Sequence, residues 1–387
     1  MTTASQPGQT AQIPAPEGDP TAGHSPLRRF LVWGLPAAFT IGWFLFVLIF
    51  GHGGRVLDNW RAALTMVFGS FVAGSTPQGG GAVAFPVFTK VLEIPAEVAR
   101  SFSLVIQATG MVMASVSILL AGRKIDVKAL GLGVSGGFVG FVIGALALSD
   151  PSTPFWSSRV DSAYVKVAFT LVIFAVALIV RIVARRETRY DKVQDWGPRS
   201  VAVMMSFAVV GGLFSSLAGS GTDVFLFVFI VLIADVTPRV AIPTSIISMA
   251  SVSVLGFAVF GLWHGQLNID LTADGSQVLG VGGEIFGPEL ASRFDLFGIW
   301  LAAAPIVVWG APLGAWVAAR VSERLVIGFV AAMALLEVVT TAIFLDRMRT
   351  DPKVTVFFVV GLVVVFFAVR SLNRLSGWIM KGEVAQG

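Results

Sequence analysis

Neutral hydrogen-bonding side chains gather in two glycine-rich stretches, GSTPQGGGAVAFP at 74–86 and SSLAGSGTDVFLF at 215–227. The first sets Ser75, Thr76 and Gln78 beside Gly79, Gly80 and Gly81; the second sets Ser220 and Thr222 beside Gly219 and Gly221. More donors follow each stretch: Ser103 and Gln107 after the first, and Thr244, Ser245 and Ser248 after the second. Hydroxyls and amides can wrap a multi-oxygen anion without burying a fixed positive charge. Glycine lets the chain turn and lets a ligand approach bare backbone. A helix restarting after Gly81 would aim its free N–H groups and positive dipole end at the turn. This is anion-binding chemistry. The competing reading is close helix packing through small residues. Packing is preferred for the scattered glycines between 131 and 144, and a substrate site for the two duplicated tips.

Two carboxylates fall inside apolar segments, where a charge costs about 2.5–3.5 kcal/mol at mid-helix and is functional by default. Asp223 follows the second tip, where the first stretch has Gly81. A carboxylate beside an anion repels it unless protonated, so Asp223 is either a proton-coupling residue or a helix N-cap. Glu337 is either a second proton site or a paired structural acid. Lys90, Glu93, Glu97 and Arg100 group near segment ends, where long charged side chains snorkel to the interface.

Other chemistries lack their residues. The chain has no cysteine, which removes disulfides, thiolates and iron–sulfur clusters. His24, His52 and His264 stand apart from other ligand types, so no metal, haem or other cofactor is expected. No Walker-type loop is present, so this chain hydrolyses no ATP. An integral-membrane enzyme would need a mid-span nucleophile with its base, or a metal cluster, and neither is found.

Membrane spans must position these residues. Only 13% of the 387 residues are charged and 55% are hydrophobic, against about 25% charged in a soluble domain. The mean hydropathy is +0.83. Apolar runs long enough to cross a ~30 Å hydrocarbon core predict full spans at 30–50, 98–121, 127–149, 161–184, 239–263, 295–319, 323–345 and 353–374. Segments 60–94 and 200–236, which hold the glycine-rich stretches, are each a long span or a re-entrant hairpin. Residues 1–29 read as a disordered tail, and the run after Arg29 is too long for a signal-peptide core and reads as an uncleaved span.

Loop charge separates the two alternatives. The net charge of +4 reflects cytoplasmic Lys and Arg rather than nucleic-acid binding. Connections 122–128 and 185–199 are rich in Lys and Arg and read as cytoplasmic, while 264–294, with four acids against Arg293, reads as external. A single crossing by 60–94 would put Arg123 and Lys124 outside. A hairpin there restores the bias, with 346–353 a mild exception, and puts both termini in the cytoplasm.

A shift of 142 positions lays Gly69 on Gly211, Gly79 on Gly221, Phe85 on Phe227 and Ser103 on Ser245, and sets Glu93 opposite Asp235. Further on, Gly140 and Gly144 match Gly310 and Gly314 once 264–294 is treated as an insertion. Each copy is a hairpin plus three spans. Three is odd, so the second copy is inverted and the tips meet at mid-depth, a recurrent plan of secondary transporters. Half a bilayer, ~15 Å, calls for hairpin arms of about ten helical residues. The expected fold is an all-α polytopic helical bundle of two inverted-topology repeats, each with a re-entrant, broken-helix hairpin. Its parts are the tail at 1–29, the first span and first repeat at 30–198 (hairpin 60–94), and the second repeat and last span at 199–387 (hairpin 200–236).

The Gly79–Gly81 run followed by Pro86, then Ile94-Pro95 and the run from Ala99 to Ser103, resembles the sulfite exporter TauE/SafE family, within the 4-toluene sulfonate uptake permease superfamily. Gly219, Gly221 and the stretch Ala241-Ile242-Pro243-Thr244-Ser245 are similar to that family's second repeat. The likeness covers about 60–374. It implies an inner-membrane permease for sulfite, organosulfonates or related sulfur anions, usually acting outward. The second tip reads Gly-Thr-Asp where a glycine run is typical, which leaves the substrate open. The residues alone support a secondary transporter of a small anion. An importer or channel for another anion, and more distantly a membrane enzyme, remain as rivals.

Overall fold

The computed structural model describes residues 26–153, 155–183, 190–268, 278–279, 285–286 and 295–380. Of the expected tail at 1–29, residues 1–25 lie outside them, while 26–29 are helical, because Pro26 can open the helix that continues into the first apolar run; most of the 264–294 connection also lies outside. After α1 (Pro26–Ile49) and the short α2 (Gly53–Asp58) come α3 (Trp60–Ser75), α4 (Gly81–Lys90), α5 (Ala96–Leu120), α6 (Val127–Leu148) and α7 (Ser162–Val183). The second half holds α8 (Pro198–Ala218), α9 (Thr222–Val228) with a π-helical continuation (Phe229–Ile233), and α10 (Pro238–Gly256) with another (Phe257–Trp263). It closes with α11 (Leu296–Ala318), α12 (Glu323–Phe344), α13 (Arg347–Thr350) and α14 (Pro352–Met380). Two-residue strands at Val278–Leu279 and Ile285–Phe286 pair antiparallel in the long connection.

Nine of the described helices are long and apolar enough to cross a membrane. Eight are the expected spans. The ninth is α8, inside the second glycine-bearing segment. Arms of about ten residues were expected there, but α3 has 16 residues and α8 has 21, while α4 has 10. The cause is packing along their full length. α8 lies against α6, and α3 against α11, through glycines with no room for a side chain. A Cβ on Gly212 would collide with the carbonyl of Gly137, and one on Gly74 with that of Ala311. Gly144 backs onto the Leu213 carbonyl, and Gly314 backs onto that of Phe71 in the same way.

Connections gather at two ends of the bundle. At one end the Asp126 carboxylate caps α6 through Ala129 N (2.9 Å) and accepts from Val193 N (2.9 Å). There too Lys124 pairs with Asp191 at 2.8 Å and the Lys128 ammonium lies 5.0 Å from the Trp196 ring. Tyr190 N donates to Asp235 O (3.0 Å) and its carbonyl accepts from Thr237 N (2.9 Å). The chain therefore leaves this end as α8 and returns to it after the π turn. At the opposite end Asp295 caps α11 through Gly298 N (2.9 Å), ion-pairs with Arg55 and lies 3.4 Å from Asn59 Nδ2. Ala62, Ile94, Phe155 and Leu296 share an apolar cluster there, so α3 starts where the chain following α4 ends. α1 runs antiparallel to α11, with Trp43 Nε1 donating to Leu301 O at 2.9 Å and Trp33 stacked on Trp309.

The chain leaves α4 and the π-helical continuation of α9 through one kind of turn. Glu93 and Asp235 each adopt φ 54°, a left-handed conformation rare outside glycine. Ile94 N then reaches Phe88 O at 2.8 Å, and Val236 N reaches Ile230 O at 3.0 Å. The two turns, 142 positions apart in the chain, thus share one backbone geometry.

Candidate functional site

The turn 76–80 joins α3 to α4, with Gly79 at φ +66°. Gly219, at φ +78°, ends α8 with its N–H on Ser215 O at 2.9 Å. Both positions need the left-handed freedom of glycine, and the two turns touch. Ser220 Oγ donates to Gln78 O at 3.4 Å. Gln107, from α5, donates to Gly219 O at 2.7 Å and to Ser103 O at 2.8 Å. A Cβ on Gly79 would lie 2.5 Å from Asp223 Oδ2 and 3.0 Å from Gln107 Oε1, and one on Gly81 would lie 2.5 Å from Ser220 Cβ. Gln78, Gly79, Gly81, Ser103, Gln107, Gly219, Ser220 and Asp223 therefore come together.

All the polar side chains of this group are buried. Both polar atoms of the Gln78 side chain, Ser103 Oγ, Gln107 Oε1 and Asp223 Oδ2 have no hydrogen-bond partner among the described residues. Such atoms are few in folded proteins and costly, at about 1–3 kcal/mol each. A small cavity lined by Ser70, Gly80, Gln107 and Val307, with room for about one water molecule, adjoins them on the first-tip side.

Other expected residues lie elsewhere. Thr76 Oγ1 is turned back to Val72 O at 3.0 Å; Ser75 is buried without a partner for its hydroxyl, on the α3 side facing α11. Gly80 faces its own arm, where a Cβ would lie 3.3 Å from Ala73 Cβ, and a Cβ on Gly221 would lie 2.8 Å from Phe214 Cβ. Thr222 bonds Ser215 at 3.0 Å, and Ser248 lies against Gly133 of α6. Thr244 sits at the Asp126 end, accepting from Asp126 N at 3.1 Å, and Ser245 bonds Ile242 O at 3.0 Å.

The carboxylates separate. The N-cap position of α9 is Gly221, and Asp223 lies inside the first turn, with Oδ1 accepting from Val224 N at 3.0 Å. Glu337 accepts from Lys90 Nζ (2.7 Å) and from Thr170 (2.8 Å) and Thr341 (3.2 Å). It thereby ties the far end of α4 to α7 and α12. Lys90 and Arg100 do not snorkel. Lys90 is buried in that ion pair, and Arg100 is held by main-chain carbonyls. The sequence reading missed Arg100 as part of this neighbourhood; its i, i+3, i+7 spacing with Ser103 and Gln107 was the available signal.

The profile of the family described as "Sulfite exporter TauE/SafE" matches residues 62–340. The chain belongs to the TauE/SafE family. The match starts near the beginning of α3 and runs almost to the end of α12, so both tips and all helices that pack on them lie within it. No curated protein and no solved structure matches the chain. Membership and the nine apolar helices make this TauE/SafE protein a multi-pass membrane transporter of the sulfite and sulfur-anion class.

Proposed function

We propose that this protein is a secondary transporter that exports sulfite or an organosulfonate across the inner membrane. The anion is held near mid-membrane between two re-entrant hairpin tips related by an inverted repeat. The observation that carries this reading is the set of unpartnered buried groups on Gln78, Ser103, Gln107 and Asp223 where the tips touch. Supporting it are the matched caps at Glu93 and Asp235 and the crossed packing of each hairpin on a helix of the other repeat. Transport in this scheme parts the tips, and the glycine-locked pairs α3–α11 and α6–α8 move as units. Both termini lie in the cytoplasm, at the end that carries Lys124 and Lys128. Asp223 carries a proton when anion is bound and sheds it when the site opens.

The test is counterflow in proteoliposomes with labelled sulfite, sulfonates, sulfate and phosphate. Sulfite or a sulfonate is expected to exchange fastest. Exchange of phosphate alone, or of none of these anions, would defeat the substrate assignment. Faster net flux inward than outward under matched gradients would defeat the export direction.

A further inference from the structure

We infer that Arg100 is the fixed positive charge by which this site selects anions, and that a sulfite- or sulfonate-type anion passes beside its guanidinium on the way between the tips and the end of the bundle that carries Asp295. The inference rests on the tips being the substrate site, and it names what sets their charge preference. Arg100 is 1% exposed and heads the fully buried side chains by volume. It shares a face of α5 with Ser103 and Gln107. Its carbonyl backs onto the second tip, for a Cβ on Gly219 would lie 2.5 Å from Arg100 O and 2.6 Å from Ser103 Cβ.

The side chain then extends toward the connection between α6 and α7. Nη1 donates to Trp156 O at 2.9 Å, Nη2 donates to Phe155 O, and Cζ lies 4.5 Å from the Phe260 ring centroid. Trp156 takes a φ of 48°, a left-handed backbone that is strained for a non-glycine residue and clusters at ligand clamps. Carbonyls and a ring hold the guanidinium without neutralising it. Among the described residues no carboxylate hydrogen-bonds or ion-pairs with Arg100; Glu97, one turn earlier, acts on it through space. Burying an ion is costly, and a strut needs no charge. At the corresponding position of the second repeat stands Ile242. Nε has no partner among the described residues, and Arg is suited to oxyanions by its planar donor fork.

The experiment compares methanesulfonate with dimethyl sulfone, its uncharged isostere, as competitors of labelled sulfite in counterflow. The wild type should prefer the charged compound, and Arg100→Gln should cut that preference at least about tenfold, roughly one charge-assisted contact. An unchanged preference in Arg100→Gln, with a lowered melting temperature, overturns the inference and leaves Arg100 a strut. Arg100→Lys keeps the charge and loses the fork. It should retain the preference while half-saturation for sulfite rises about tenfold, and wild-type half-saturation in that variant also overturns the inference. A wild type inert to sulfite and sulfonates strikes instead at the substrate reading, and is seen before any variant is made.

Discussion

Asp223 turns one carboxylate oxygen to Val224 N and leaves the other facing Gly79 of the first tip. Its counterpart in the first repeat is Gly81, so whatever it does is asymmetric. As the proposed proton carrier, Asp223→Asn should keep sulfite exchange within about threefold, because Asn reproduces the protonated form's shape and hydrogen bonding. The same variant should lose accumulation driven by an imposed pH gradient. Uptake with and without the gradient reads this directly, and retained pH-driven accumulation removes the proton role. At this scale the sequence was half legible. Gln78, Ser103 and Gln107 were recognisable as uncharged donors next to duplicated glycines. Thr244 and Ser245 looked equivalent, yet they bond at the Asp126 end and to their own helix. Their azimuth on α10 is decided by partners in α6, which no local pattern records. Arg100 was hidden because a charge near a helix start normally reaches water, and here carbonyls some 55 residues later receive it.

Hairpin arms and the helices they pack on form the next level. Gly81 separates two roles for glycine, since its missing side chain makes room for Ser220 of the opposite tip. Gly131 has open space where a Cβ would go. Gly81→Ala is expected to push the tips apart and lower sulfite exchange at least tenfold, on the scale of the 1–3 kcal/mol typical of overpacking. Gly131→Ala should exchange normally. Equal rates in the two variants, measured at equal protein in the membrane, would make the tip contact dispensable. The spans were legible because hydropathy records burial directly. Arm length was not. Ten residues suffice to reach mid-bilayer, but α8 extends along α6 because Gly136, Gly140 and Gly144 present a small-residue face to it.

For the whole molecule, the two groups of connections give the topology a direct test. Reporter fusions at Val193 and at Ala273 should lie on opposite sides of the membrane, inside and outside respectively. Same-side readings would sink the inverted arrangement. The contacts of Asp126 with Val193 and of Asp295 with Arg55 mark the two ends independently of charge counting, so a disagreement would also contradict the packing. Arg347 lies 3.5 Å from Asp161, which puts the basic 346–353 connection at the Asp295 end. That is where the loop-charge argument already found its exception.

The crossed pairing of hairpins and helices also sets a timetable for biosynthesis. α8 follows its partner α6 off the ribosome after roughly 50 residues, whereas α3 precedes α11 by roughly 220. At 5–20 residues per second the first hairpin therefore waits about 10–40 s with its Gly74 face uncovered. The second hairpin docks first, and the nascent protein carries a half-exposed polar turn through most of its translation. Insertion machinery and membrane proteases meet that intermediate in every molecule made. Lesions in α11 should accordingly register as rapid turnover of new chains, well before any defect in flux can be measured.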